Sequence, residues 1–234
     1  MWMILIPLLL LIIALVTVNT INTIQKRKRK NRLKLRRLRH EADNLDEIVN
    51  GMEQTIPNPA IIRSINDELI ERLEEMLPLA GDNSAGVQAS LDNATQKSEH
   101  LAEMSSNSEF SYRKANDVEI ARSQYYLNEA AQTLKKRCSI GKLPEVELRI
   151  YLTELSWADL MIDVQSLVAQ GYKAKLRGNL PGNFAYYQTA QNKLMESTHP
   201  NSKRMRMIRD MSELLAGNTE RPGADLIGEY FEAD

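Results

Sequence analysis

The sequence predicts an all-α chain: a single N-terminal transmembrane helix followed by a cytoplasmic helical bundle of about five to seven antiparallel helices. Three observations carry this reading. Residues 1–25 hold no charged side chain. After position 31 the apolar residues recur at steps of three and four, and no segment keeps the alternation of a half-buried strand. Aromatics make up 6% and Gly 10 of 234 residues, too few for the strands and turns of a sandwich or barrel.

Residues 1–25 are read as a transmembrane anchor. Their first part, MWMILIPLLLLIIALVTV, is uncharged and has one hydroxyl, Thr17. About 20 helical residues cross a ~30 Å hydrocarbon core. Pro7 falls in the first turns, where losing a backbone donor costs least, and Trp2 suits an interface. A cleaved signal peptide would carry its positive charge ahead of the apolar run and a small-residue cleavage site behind it. Here the charge follows instead, which reads as an uncleaved signal-anchor. Because Lys and Arg flanks stay on the cytoplasmic side, the expected setting is an inner or plasma membrane. The N-terminus would face outward and the C-terminal domain would face the cytoplasm.

Residues 26–40 form a basic juxtamembrane segment. Positions 26–39 hold 10 of the 30 Lys and Arg and no acid, which leaves 20 basic against 31 acidic side chains elsewhere. The near-zero net charge thus hides a basic collar on an acidic body. Lys26, Arg27, Lys28, Arg29, Lys30 and Arg32 are expected to meet anionic lipid headgroups. No aromatic stands among them to stack on bases, so nucleic acid is not an expected partner.

A helical domain is expected over 41–216, with a hairpin over 31–77 and a main bundle over 112–216. Leu35, Leu38, Ala42, Leu45, Val49, Met52 and Ile56 mark a heptad seam. A homo-oligomer through 31–56 is one use of it. A parallel dimer, however, would set Lys34 against Arg39 and Glu41 against Asp46, like charge on like charge. The seam is therefore expected to pack on another helix of the same chain. Pro57 and Pro59 end this helix. The next, over 60–77, carries Ile61, Ile62, Ile65, Leu69, Leu73 and Met76 on one face and Asp67, Glu68, Glu71, Glu74 and Glu75 on a solvated one.

A loop over 78–90 and a weaker helix over 86–104 follow, then a Ser-rich loop over 105–111. A helix over 112–138 places Ala115, Ile120, Ala121, Leu127, Ala131, Leu134 and Cys138 on its stripe. Gly141 and Pro144 separate it from a long helix over 144–177. Further helices are expected over 183–197, with Phe184, Tyr187, Ala190 and Leu194 inward, and over 202–216, with Met205, Ile208, Met211 and Leu214. Gly171, Gly178, Tyr187 and Ala190 fall at some spacings of a tetratricopeptide helix pair. Asn183 stands where a small residue is expected, however, and the match is one incomplete repeat. The small residues are read as a helix crossing, and no family is assigned. Residues 217–234 are expected to be a linker and an acidic tail with exposed apolar side chains.

Chemistry is sparse. Phosphate-binding glycine loops, nucleophile elbows and paired metal-binding histidines are absent. One Cys excludes an intrachain disulfide and a multi-Cys zinc site. No catalytic, metal or cofactor residues are assigned, and no cofactor is expected. Tyr151, Trp157, Tyr172, Tyr186 and Tyr187 cluster in sequence as a candidate partner surface. The resulting expectation is a single-pass, membrane-anchored, non-enzymatic interaction or scaffold protein whose partner is an unidentified protein. The alternative is a membrane-tethered ligand-binding or enzymatic bundle that uses the aromatic-rich region 151–187.

Overall fold

The computed structural model describes residues 2–105 and 110–228; for residues 2–18, 21 and 82 it describes the backbone alone. The described chain is helical throughout, with no strand. It comprises α1 (Trp2–Glu53), α2 (Pro59–Met76), two short 3-10 turns (Leu77–Leu79 and Gly81–Asn83) and α3 (Ser84–Glu103). There follow α4 (Asp117–Ser139), α5 (Glu145–Leu176), α6 (Leu180–Glu196), α7 (Lys203–Leu215) and α8 (Ala224–Ile227).

The stretches read as anchor, basic segment and seam share one continuous helix, α1. Neither Gly nor Pro occurs between positions 8 and 50 to break it. Among the described residues no helix is long and apolar enough to cross a membrane. The transmembrane expectation covers residues 1–25, of which 1–18 and 21 have side chains outside the described ones. The loop expected over 105–111 likewise falls partly outside, at 106–109.

The chain divides into two compact units, residues 1–44 with 69–95 and residues 45–68 with 96–234. In the first, Leu38 and Ala42 of α1 are buried, as are Leu69, Leu73 and Met76 of α2 and Val87 and Ala94 of α3. Ion pairs fix α1 and α2 as antiparallel: Lys34 Nζ lies 3.8 Å from Glu75, and Arg72 Nε lies 3.7 Å from Glu41. Arg37 also reaches Glu41 at 2.7 Å. Lys34 and Glu41, two of the groups that would meet like charge in a parallel dimer, thus find opposite charge within one chain.

In the second unit the seam continues through Leu45, Val49, Met52 and Ile56, each at most 7% exposed, and is joined by Ile48. Gly51, where a β-carbon would collide with the Tyr126 ring, lets α4 approach α1 closely.

The main core joins four helices. Met161, Val164 and Val168 of α5 meet Tyr187, Ala190 and Leu194 of α6, Met207, Met211 and Leu214 of α7, and Leu226 and Ile227 of α8. Gly171 makes the α5–α6 crossing: a β-carbon there would stand 2.6 Å from Tyr187 Cε1 and 3.1 Å from Tyr186 Cβ. The helix pair turns at Gly178, whose φ of +75° lies in the left-handed region that glycine adopts without strain. Asn179 then caps α6 by accepting from Gly182 N at 3.0 Å.

Four expectations are corrected in this unit. Helix α4 starts at Asp117 rather than at 112, because the backbone before it bonds sideways to α5. Tyr112 N donates to Gln165 Oε1 at 2.9 Å and Lys114 N to Ser166 Oγ at 3.0 Å. Asn116 caps the helix, accepting from Glu119 N at 2.9 Å, while Glu119 accepts from Ala115 N at 3.0 Å.

Second, the buried side of α4 is Ser123, Leu127, Ala130, Leu134 and Arg137, one position away from the expected Ala131 and Cys138, which are half-exposed; Ala115 and Ala121, also expected on the stripe, are exposed. Third, Phe184 and Met205, expected inward, are 54% and 60% exposed, and Met207 is buried instead.

Fourth, the tail expected to be free from 217 docks as far as it is described. Leu226 and Ile227 enter the core, and Gln165 Nε2 donates to Asp225 O at 3.3 Å. Lys203 and Arg206 hold the Asp225 carboxylate at 3.6 and 3.1 Å. Residues 229–234 lie outside the described residues.

Two outcomes follow for the full-length chain. Leu45→Ala costs about 2–5 kcal/mol, and the resulting fall in Tm, followed by circular dichroism, is the same at low and high protein concentration. A Tm that rises with concentration, and loses that rise in Leu45→Ala, would instead make the seam a dimer interface. Gly171→Ala forces a methyl against the buried Tyr187 ring and costs about 1–3 kcal/mol, whereas Gly51→Ala costs less because the Tyr126 ring is half-exposed and can swing aside.

Candidate functional site

The collar is the least compensated group of charges. Lys26, Arg27, Lys28, Arg29, Lys30 and Arg32 are exposed along α1. Among the described residues none of the six pairs with an acid. Two and five residues beyond Arg32, Lys34 and Arg37 do. Helical geometry stacks Lys26 on Lys30 and Lys28 on Arg32, and each like-charged pair four residues apart costs some tenths of a kcal/mol. An anionic surface laid along this stretch relieves that repulsion and adds about 1 kcal/mol per cation near the headgroups.

The five aromatic residues do not form one surface. Tyr187 is 2% and Tyr172 9% exposed, both inside the helical packing. Trp157 packs at the edge of the core, its ring 5.1 Å from that of His199. Tyr151 lines a separate cleft facing α2 and α3, and Tyr186 is exposed. The cause is helical phase: the six residues from Tyr151 to Trp157 turn the helix roughly 120° net. Burial raises the Tyr187 hydroxyl above its usual range, with Asn183 opposing and Tyr172 adding to the effect.

Sequence reasoning missed the most unusual polar feature. Glu68, expected on a solvated acidic face, is 1% exposed. Its carboxylate accepts from Arg137 Nη1 at 3.1 Å and from Lys136 Nζ at 3.3 Å. Arg137 is itself 6% exposed. A signal was present, because Glu68 stands seven residues after the core Ile61 and so shares its face.

Arg137 lines a cleft of about 410 Å³ with Arg63, Asp67, Lys142, Glu147 and Tyr151 among its walls. Arg63 Nε donates to Ser98 Oγ at 3.3 Å, and Ser98 donates to Asp67 at 3.2 Å. Asn58 Nδ2 ties the adjoining turn to Glu154 at 2.5 Å. The Tyr151 hydroxyl is pushed up by burial first, then by Glu147 and Glu154, against the pull of Arg63. Acids and bases here largely neutralise one another.

A second cleft, of about 360 Å³, lies where Glu47, Asn50 and Gly51 face Lys114, Arg122 and Tyr126. Lys114 Nζ donates to the Gln54 carbonyl at 2.7 Å, and burial lowers its pKa, with Glu119 opposing. The Tyr126 hydroxyl donates to Glu47 at 3.3 Å. Beside this region Tyr112 is pushed up to about 12 by burial and by Glu154.

Asp159 and Asp163, one turn apart on α5, are the nearest approach to a carboxylate pair. Burial, then Asp163, raises Asp159, with Lys193 and Gln124 opposing. Asp163 accepts from Gln124 at 3.1 Å and also takes Lys193. A pair held this way serves α4–α5–α6 contact. Among the described residues no three His, Cys, Asp or Glu side chains converge to hold a metal ion. Comparison with known protein families, with curated proteins and with solved structures finds no match to this chain.

The buried pair yields a double-mutant test. Glu68→Leu leaves Arg137 without its buried partner and costs about 3–5 kcal/mol. Glu68→Leu with Arg137→Met recovers most of the loss, because apolar packing replaces the pair without stranding a charge. Chemical denaturation of the four chains reads the cycle. Additive losses would show that the two side chains act independently.

Proposed function

We propose that this chain is a single-pass, membrane-anchored helical interaction module. Residues 1–25 serve as the anchor and the basic segment 26–40 binds anionic headgroups. The helical remainder, facing the cytoplasm, is a platform for a protein partner. The observation that carries the reading is the row of six exposed, acid-free cations directly after an uncharged apolar run. Such a run has the length and hydropathy for a membrane span. Cations on its C-terminal side favour retention of that side in the cytoplasm.

A scaffold role is supported by how the remaining polar groups are used. Glu68 with Arg137, Asp163 with Gln124 and Lys193, and Gln165 with two backbone groups each link separate elements. In each case the chemistry is spent on joining helices. The two polar clefts bring together acids and bases that neutralise each other rather than a nucleophile with a base.

Topology is the direct test. In a Cys138→Ala background, a single cysteine at Val118, which is 67% exposed, stays unreactive toward an impermeant thiol reagent in intact cells. It reacts once the membrane is permeabilised. The chain resists alkaline extraction from membranes, and deletion of residues 2–18 releases it. Labelling in intact cells would invert the orientation, and release of the full chain by alkali would remove the anchor.

A further inference from the structure

Residues 164–195 contain no Asp or Glu, in a chain whose residues outside 26–39 hold 31 acids against 20 bases. This stretch covers the last 13 residues of α5, the three-residue turn and nearly all of α6. At its tip Leu176, Leu180 and Phe184 are 61%, 63% and 54% exposed. Leu180 and Phe184 stand one helical turn apart on α6, and Leu176 is the last residue of α5. Lys173 and Arg177 are exposed beside them, while Lys175 is held by the Glu220 carbonyl at 2.9 Å.

The hairpin's own packing does not need these side chains, since Gly171, Tyr187, Ala190 and Leu194 make the crossing and its core. Scattered exposed apolar residues are ordinary; three within nine residues, flanked by cations in a stretch that holds no acid and meets Glu220 through its carbonyl, form a patch. Its shape narrows the occupant. A peptide partner is anchored in a concave groove, whereas this patch sits at the exposed turn of a helical hairpin. Leu and Phe suit the acyl boundary, and Lys and Arg suit headgroup phosphates. Acids, which an anionic surface would repel, are missing from this stretch.

We infer that the α5–α6 tip is a second lipid-contacting element. It engages an anionic bilayer surface, with Leu176, Leu180 and Phe184 entering the interface and Lys173 and Arg177 on the headgroups. The inference rests on the membrane reading above for its supply of bilayer. Peripheral contacts of this kind are weak singly and hold when combined with another membrane signal.

The experiment uses the full-length chain with Cys138→Ala and Leu180→Cys, labelled with the environment-sensitive fluorophore NBD. It is mixed with vesicles of phosphatidylcholine alone or of phosphatidylcholine with phosphatidylglycerol. In the anionic vesicles the emission shifts to the blue and a spin-labelled lipid quenches it; in phosphatidylcholine alone it does neither. The same probe at Val118 reads water in both. Lys173→Gln with Arg177→Gln lowers the ratio of inserted to free probe roughly thirtyfold.

Flotation of the chain with vesicles at alkaline pH reports the anchor separately. A chain that alkali strips from the vesicles while the Leu180 probe still shifts at neutral pH sinks the anchor reading alone. A Leu180 probe that stays in water beside anionic vesicles overturns the inference, whether or not the chain floats. So does an equal shift in phosphatidylcholine alone, or a shift without vesicles, which would assign the patch to a protein surface.

Discussion

Between Leu155 and Ala174 helix α5 is buried on nearly every side, with twelve residues removed from solvent, among them Gln165 and Ser166. A helix buried all round must bring partners for its polar positions, because an unpaired buried amide costs about 1–3 kcal/mol. Gln165 meets this demand by bonding Tyr112 N with its oxygen and Asp225 O with its nitrogen. Ser166 takes Lys114 N. Two otherwise unrelated stretches, the extended run before α4 and the short α8, are therefore clamped to the same turn of α5. The late start of α4 and the docking of Leu226 and Ile227 both follow from this constraint.

Charge in the first unit works differently. Its ion pairs are largely exposed, and such pairs are worth about 0–1 kcal/mol each. Burial of Leu38, Leu69, Leu73 and Met76 supplies far more, at about 1.5–3 kcal/mol for each fully buried large side chain. The charges contribute selectivity. Lys34 and Glu41 meet opposite charge on α2, whereas a parallel second copy of α1 would offer them like charge.

Acidic and basic residues are also segregated along the sequence, at 26–39 and at 164–195. The collar cations stay unpaired among the described residues, and the α5–α6 hairpin tip keeps two exposed cations with no acid in its stretch. Elsewhere acids and bases close on one another, as at Glu68 and in both clefts. Uncompensated charge with neighbouring apolar surface is what the proposed contact with a polyanionic lipid surface would use.

Periodicity by itself determined the helical class, the positions of α2, α3, α5, α6 and α7 to within a few residues, and the burial of Ile61, Ile62, Ile65, Leu69, Leu73 and Met76. These properties are local: spacing near 3.6, prolines at 57 and 59, and Gly178 at a turn act over a few residues. The Asn116–Glu119 capping pair falls inside the helix expected from 112 and marks where α4 starts.

Only tertiary structure chose between faces that share residues. Leu127 and Leu134 are compatible with either Ala130 and Arg137 or Ala131 and Cys138. The carboxylate of Glu68 decided for Arg137. The aromatic residues of 151–187 are close in sequence, but helix rotation sent Tyr172 and Tyr187 inward and Tyr151, Trp157 and Tyr186 to different sides. A one-residue change of phase is nearly invisible in a hydropathy pattern. It turns a side chain by about 100°, and only the neighbouring helix supplies the partner that makes one phase the stable one.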